Sequence, residues 1–173
     1  AVIKQTSYTE VEMASFVSLF LKRETIVQYG LPIKEFFIWT DDWEFTRRIS
    51  RQEKCYVVYD SVVVHAMKNN TVVNIATDAQ ERLGRYAYFY RNDVVLYRRE
   101  GIKGWIWLIA KDVYHSFLVV RSGKVSRLGV IWKGFIKGIG FCPKIEMIRG
   151  NCKRSKTDYF LFCKRVCCQL LLW

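Results

Sequence analysis

Three carboxylates stand close together in the segment Thr40-Asp41-Asp42-Trp43-Glu44. Like charges at this spacing raise one another's pKa, and a carboxylate with a raised pKa is a better general base. The segment also has a structural interpretation, because Asp41 as an N-cap with Glu44 three residues later resembles a capping box. Capping explains Asp41 and Glu44 but gives Asp42 no role, so local chemistry alone leaves both interpretations open.

The sequence on both sides of these acids predicts short helices and strands, so we expect the first half of the chain to be mixed α/β. An apolar run suits a buried strand, and a short helix is expected to end at Gly30, just before Pro32. A second helix is expected to begin at the acids, and two β-branched and aromatic runs follow it, the second ending at His65. In chain order these elements are a strand at 16–21, helices at 22–29 and 41–52, and strands at 55–59 and 62–64.

The second half is predicted to be helical, with helices from about residue 78 to 97, 105 to 120 and 124 to 139. The third is amphipathic, since its apolar residues fall within an arc of about 100° that excludes its cations. Such a helix can lie in a membrane interface, with Trp132 and Phe135 inserted and Lys133 and Lys137 meeting anionic headgroups. The alternative is that the apolar stripe packs on the rest of the protein and the charges face solvent.

The net charge of +12 lies entirely in the second half of the chain. Residues 1–75 carry 9 Lys and Arg against 9 Asp and Glu, and the remainder carries 19 against 7. This asymmetry favours one half that faces an anionic surface, either a membrane or a nucleic acid. The hydrophobic content of 51% excludes a disordered tail.

Motifs along most of the chain extend the pattern around the acids. In order they are Phe16-Val17-Ser18-Leu19-Phe20-Leu21, Gly30-Leu31-Pro32, Phe36-Phe37-Ile38, Asp41-Asp42-Trp43-Glu44-Phe45, Arg48, His65, Tyr90-Arg91-Asn92, and Lys133-Gly134 with Lys137-Gly138. Together they resemble the C-terminal half of the family 2 glycosyltransferase catalytic domain. The resemblance is to the branch that holds bacterial rhamnosyltransferases and galactofuranosyltransferases, and it covers residues 14–140.

The resemblance implies a GT-A fold and inverting transfer of a sugar from a nucleotide-diphosphate donor to a glycan or lipid-linked acceptor. At the matching positions it makes Asp42 the catalytic base, which takes the proton of the attacking acceptor hydroxyl. Asp41 and Glu44 are then expected to hold acceptor hydroxyls, and Trp39 or Trp43 to stack on a sugar ring. It also makes His65 a ligand of Mn²⁺ or Mg²⁺ beside the donor diphosphate, where the metal neutralises charge on the leaving group.

The donor half of such a domain is not found in this sequence. A nucleotide-binding βαβ unit and an Asp-x-Asp metal motif precede the acids in the family, and neither stands before Asp41 here. We therefore expect the nucleotide-sugar donor to be bound outside this chain, any metal to be held weakly, and the chain alone to be inactive. The expected organisation is an acceptor-side part of the catalytic domain at 1–75, a basic helical membrane-facing extension at 76–150, and a basic, cysteine-containing tail at 151–173.

Two other functions compete with a transferase fragment in cell-surface polysaccharide synthesis. One is a non-catalytic, membrane-associated interaction module. The other is a basic nucleic-acid-binding protein, which we disfavour because the aromatics share faces with Leu and Ile and no nucleic-acid-binding signature is present. The six cysteines form no CxxC pair, which fits a reduced setting. The expected location is the cytoplasm, peripheral on the inner face of the cell membrane.

Overall fold

In the computed structural model, described for residues 7–64, 66, 74–148 and 160–164, the chain is mixed α/β and mostly helical. It divides into two compact units. The first contains residues 1–32, 42–70 and 145–173, and the second contains residues 33–41 and 71–144. The sequence predicted parts at 1–75, 76–150 and 151–173, and these remain predictions. The structure adds that residues 33–41 belong to the helical unit and that residues from 145 onward return to the first unit.

The first unit is built on a small sheet and two helices. Strand β1 (Tyr8–Glu10) pairs antiparallel with β2 (Cys55–Val62), with Thr9 opposite Val57. The backbone of β3 (Phe160–Lys164) pairs parallel with the other side of β2. The helices are α1 (Arg23–Tyr29) and α2 (Asp41–Ser50), whose first residue, Asp41, falls in the second unit.

The core of the first unit lies between these helices and the sheet. Tyr29, Phe45, Ile49 and Cys55 are buried together, and Leu19 packs against them. The helix predicted at 22–29 is confirmed, and it ends at Gly30, whose φ of 78° suits glycine. Residues 16–21 were expected to be a strand, but they form turns and irregular backbone. Apart from a single bridge residue at Leu19 they form no strand, and Leu19 and Leu21 pack on the core from this irregular backbone.

The second unit is an assembly of three helices preceded by a short loop. These helices are α3 (Leu83–Arg98), α4 (Gly101–Arg121) and α5 (Leu128–Ile139), and their predicted existence is confirmed. Their core contains Tyr86, Tyr90, Val119 and Ile131, all almost completely buried. Arg127, also buried, donates to the carbonyls of Ile75 and Asp78 at 2.5 and 2.9 Å and so fixes the segment before α3 to the start of α5.

Helix α5 packs on α3 through glycines. An added Cβ at Gly134 would lie 2.7 Å from the Tyr90 Cβ, and one at Gly138 would lie 2.5 Å from the Val94 Cγ2. The buried side of α5 consists of Ile131, Gly134 and Gly138. Most of the apolar arc found by periodicity therefore faces outward, because small residues permit the closest helix approach and large ones do not.

No helix within the described part of the chain is long and apolar enough to cross a bilayer.

Candidate functional site

The loop before α2 has an unusual backbone. Phe37, Trp39 and Thr40 have φ values of 63°, 60° and 66°, in the left-handed region that bulky and β-branched residues avoid. Each such residue costs on the order of 1–3 kcal/mol and persists only where its surroundings fix it. The loop is therefore held in place by contacts that compensate for this strain.

Asn92 of α3 supplies three of those contacts. Its side-chain nitrogen donates to the carbonyls of Phe36, Ile38 and Trp39 at 3.0, 3.2 and 3.0 Å. Asn92 is fully buried, and its side-chain oxygen accepts from Arg91, whose guanidinium also donates to the Glu35 carbonyl. One amide thus donates to three carbonyls of the loop, and its oxygen is satisfied by Arg91.

Asp93 fixes the last residue of the loop. The Thr40 hydroxyl donates to the Asp93 carboxylate at 2.5 Å, and the other Asp93 oxygen forms an ion pair with Lys111 of α4. All three side chains are buried. Burial alone lowers the pKa of Lys111, but the attraction of Asp93 and Asp112 outweighs it and raises that pKa above its ordinary value. The lysine is therefore charged, as the buried carboxylate requires.

A second carboxylate, Asp112, is buried beside this pair. Within the described part of the chain neither of its oxygens has a hydrogen-bond partner, and the Lys111 ammonium lies 3.4 Å away. Burial raises the pKa of Asp112 to about 6, against the lowering effect of Lys111. Close by on α4, burial lowers the pKa of His115 to about 4, and its Nδ1 shares a hydrogen bond of 2.8 Å with the Tyr90 hydroxyl.

The acids singled out by the sequence begin helix α2. Asp41 is its first residue and Asp42 its second, so both lie in the turn where the helix dipole favours negative charge. Both side chains are partly exposed. One Asp42 carboxylate oxygen accepts from the Trp43 backbone N–H at 2.9 Å, and the Asp42 carbonyl accepts from the Thr46 hydroxyl at 2.8 Å.

Glu44, in contrast, is buried within the first unit. Its side chain is 1% exposed and forms an ion pair with Arg48 at 3.1 Å, one helical turn later. Arg48 also donates to the carbonyls of Tyr29 and Leu31, so the pair ties α2 to the end of α1. The Glu44 carboxylate is therefore occupied by Arg48, and the predicted contact with an acceptor would require this ion pair to open.

The two tryptophans predicted to stack on a sugar differ in their surroundings. Trp39 packs against Tyr86 and Phe89 of α3, with ring centroids 5.0 and 5.7 Å away, and so contributes to the core of the second unit. Trp43 is partly exposed on α2.

The predicted metal ligand, His65, lies outside the described residues. Among the residues that are described, no three His, Cys, Asp or Glu side chains are grouped so as to hold a metal ion. The described residues thus offer no ligand group for the Mn²⁺ or Mg²⁺ that the resemblance implies. The tail at 151–173 also lies outside the described residues, apart from the backbone of β3.

The four residues predicted to face a membrane lie on α5. Trp132, Lys133 and Lys137 are exposed, and Phe135 is half-buried between Trp105 and Trp132. Helix α4 exposes a larger apolar surface that periodicity did not separate from the core, because that helix is apolar on most sides.

Of the buried residues Asn92, Asp93 and Lys111, Asn92 belongs to the motif Tyr90-Arg91-Asn92, but its contacts with the loop were not predicted. The sequence signal for Lys111 is its place beside Asp112 within an otherwise apolar helix, and Asp93 carries none. No family model, curated protein or solved structure matches this chain.

Proposed function

We propose that this chain carries the acceptor side of an inverting glycosyltransferase, with Asp42 as its general base. The observation that supports this most is the strained loop that ends at Thr40, directly before the acids. Left-handed backbone at non-glycine residues concentrates at functional sites. Here it leads into two partly exposed carboxylates at a helix start.

The capping interpretation explains less of this arrangement. Thr40 precedes α2 in a left-handed conformation, whereas an N-cap residue has extended backbone. Glu44 lies in the helix with its carboxylate on Arg48. Capping needs neither the buried Thr40–Asp93 hydrogen bond nor two adjacent acids, so these features favour a site that requires a fixed position for Asp41 and Asp42.

In the proposed reaction, Asp42 takes the proton of an acceptor hydroxyl as that oxygen attacks the anomeric carbon. The bond from this carbon to the diphosphate oxygen breaks on the opposite face, so the configuration inverts. Asp41 accepts a hydrogen bond from a neighbouring acceptor hydroxyl, and Trp43 offers a ring face to the sugar. The donor, a nucleotide-diphosphate sugar, is bound by protein outside this chain.

The test uses the protein isolated from its source cells, incubated with a panel of nucleotide-diphosphate sugars and a lipid-linked glycan extract. Release of nucleoside diphosphate is measured, and the anomeric configuration of the product is determined by NMR. We expect release with at least one donor, dependent on the acceptor extract, with inverted configuration. Retained configuration, or no acceptor-dependent release with any donor, would overturn the proposal.

A further inference from the structure

Helix α4 presents a continuous apolar surface to solvent. Its buried positions are few, namely Gly104, Leu108, Lys111, Asp112 and Val119. Six large apolar residues fall within an arc of about 80° on the other side, at 100° per residue. We call them the outer face of α4, and they are Ile102, Ile106, Ile109, Val113, Phe117 and Val120, between 47% and 80% exposed.

The outer face spans most of the helix. From Ile102 to Val120 it extends about 27 Å at 1.5 Å per residue. Trp107 and Tyr114, 64% and 52% exposed, flank it on one side. These two side chains join an apolar ring to a polar N–H or O–H group, a combination that favours the boundary between hydrocarbon and water.

Aromatic contacts connect α4 to α5. The Trp105 ring contacts the Phe135 ring at 6.4 Å, and Phe135 contacts Trp132 at 5.8 Å. Helix α5 exposes Trp132, Ile136 and Ile139 beyond this contact. Because α5 packs on α3 through its glycines, its large apolar side chains remain available at the surface.

The charges along this surface are mostly positive. Asp112 is the only acid among residues 101–145, and it is buried. Every Lys and Arg of this segment that is exposed or half-buried adds positive charge: Lys103, Arg121, Lys124, Lys133, Lys137 and Lys144. Lys103 and Arg121 stand near the two ends of the outer face, and the half-buried Glu100 precedes the helix as its N-cap.

We propose that the outer face of α4 docks on an anionic phospholipid bilayer, with the helix lying along the interface. Apolar side chains that enter the headgroup region and cations that meet lipid phosphates are the two contributions that hold amphipathic helices at membranes. A second copy of the chain would bring cations against cations across the same surface, which disfavours it as the occupant. The proposal does not depend on sugar transfer.

The experiment is flotation of the full chain with vesicles of phosphatidylcholine containing 30% phosphatidylglycerol, and with vesicles of phosphatidylcholine alone. Ile106→Glu/Phe117→Glu places two charges on the outer face, where both side chains are exposed. Phe20→Glu is the matched control, because Phe20 is 64% exposed but lies in the first unit. Circular dichroism and thermal melting verify that each variant is folded.

We expect the unchanged chain to float with anionic vesicles, and the double variant to lose at least about tenfold in partitioning. Phe20→Glu should float like the unchanged chain, and about 0.5 M salt should weaken binding. Equal flotation of the double variant, equal binding to uncharged vesicles, or no flotation of the unchanged chain would each overturn the proposal. If the unchanged chain forms a dimer that the double substitution dissociates, and the chain does not bind vesicles, the outer face instead binds a second copy of the chain.

Discussion

The Thr40 hydroxyl donates a 2.5 Å hydrogen bond to the Asp93 carboxylate, which lies 53 residues later in the sequence and is almost fully buried. Asp93 in turn pairs with Lys111, so a short polar chain runs from α4 through α3 to the residue that precedes α2. Asn92 beside it holds the preceding loop carbonyls. The backbone before Asp41 and Asp42 is therefore set by the interior of the helical unit.

Substituting Asn92→Asp should release the loop. The change replaces the amide donor with a carboxylate oxygen that repels the carbonyls of Phe36, Ile38 and Trp39. Hydrogen exchange of the peptide covering residues 36–41 should become faster by at least about tenfold relative to the unchanged chain. Asn74→Asp is the control, since Asn74 uses its side-chain oxygen to accept from the Ala76 N–H and Asp keeps that acceptor. Equal exchange rates of this peptide in the two variants would contradict the role of Asn92 in holding the loop.

Lys111→Met should destabilise the protein strongly. It leaves Asp93 and Asp112 buried without a cation, and removal of one partner of a buried pair costs about 3–5 kcal/mol. Urea unfolding measures the loss. Lys103→Met on the same helix is exposed and should change the free energy of unfolding by less than about 0.5 kcal/mol. A similar, small effect for both variants would contradict the ion pair's importance.

Asp112→Asn should alter the pH dependence of stability. The pKa of Asp112 is raised from 3.8 to about 6 by burial, so the folded state binds more protons than the unfolded state between those pH values. The contribution of this group to stability therefore falls as pH rises from 4 to 6. Relative to the unchanged chain, the free energy of unfolding of Asp112→Asn should rise by about 2–3 kcal/mol as pH increases from 4 to 6. Urea unfolding at each pH measures this difference. Asp60→Asn, at an exposed position, serves as the control.

His115 contributes with the opposite sign. Its pKa is lowered from 6.5 to about 4 by burial, and by Lys111, so the unfolded state binds more protons between those values. Its contribution to stability is present above pH 6.5 and is lost as pH falls toward 4. Asp112→Asn removes the group of opposite sign, so the free energy of unfolding of that variant should fall as pH decreases from 6.5 to 4. A free energy of unfolding of Asp112→Asn that does not fall over this range would contradict the role of His115.

Gly138→Ala and Gly129→Ala should have opposite effects. A Cβ at Gly138 would lie 2.7 Å from the Arg91 carbonyl oxygen and 2.5 Å from the Val94 Cγ2, so the helices must separate, at a cost of about 1–3 kcal/mol. A Cβ at Gly129 meets nothing within 4 Å, and alanine there should stabilise the helix by up to about 1 kcal/mol. Thermal unfolding of both variants measures the difference. Stabilisation by Gly138→Ala would contradict the close packing of α3 and α5.

Local signals predicted the elements well where sequence and packing agree. Gly30 ends α1 as its conformational freedom indicates, and the acids begin α2 as their preference for a first turn indicates. The strand predicted at 16–21 was wrong, because an apolar stretch of that length suits a strand and a packed irregular segment equally. Only the pairing partners of a strand distinguish the two.

The polar interior could not be predicted because it depends on tertiary contacts. Lys111 and Asp112 interrupt an apolar run, and nothing near them in the sequence indicates that Asp93 and Thr40 will meet them. Periodicity likewise identified the apolar arc of α5 but not its outward direction, which follows from the fit of Gly134 and Gly138 against α3. Residue size at the contact, rather than hydrophobicity, decided which side was buried.

Turnover of the Asp42→Asn variant tests the central claim most directly. Asn keeps the size of the side chain and its ability to accept from the Trp43 N–H, but it cannot take a proton. In the protein from its source cells, acceptor-dependent release of nucleoside diphosphate should fall by at least about 100-fold with unchanged thermal stability. Asp60→Asn, outside the proposed site, should retain full turnover. Near-normal turnover of Asp42→Asn would contradict its role as the base.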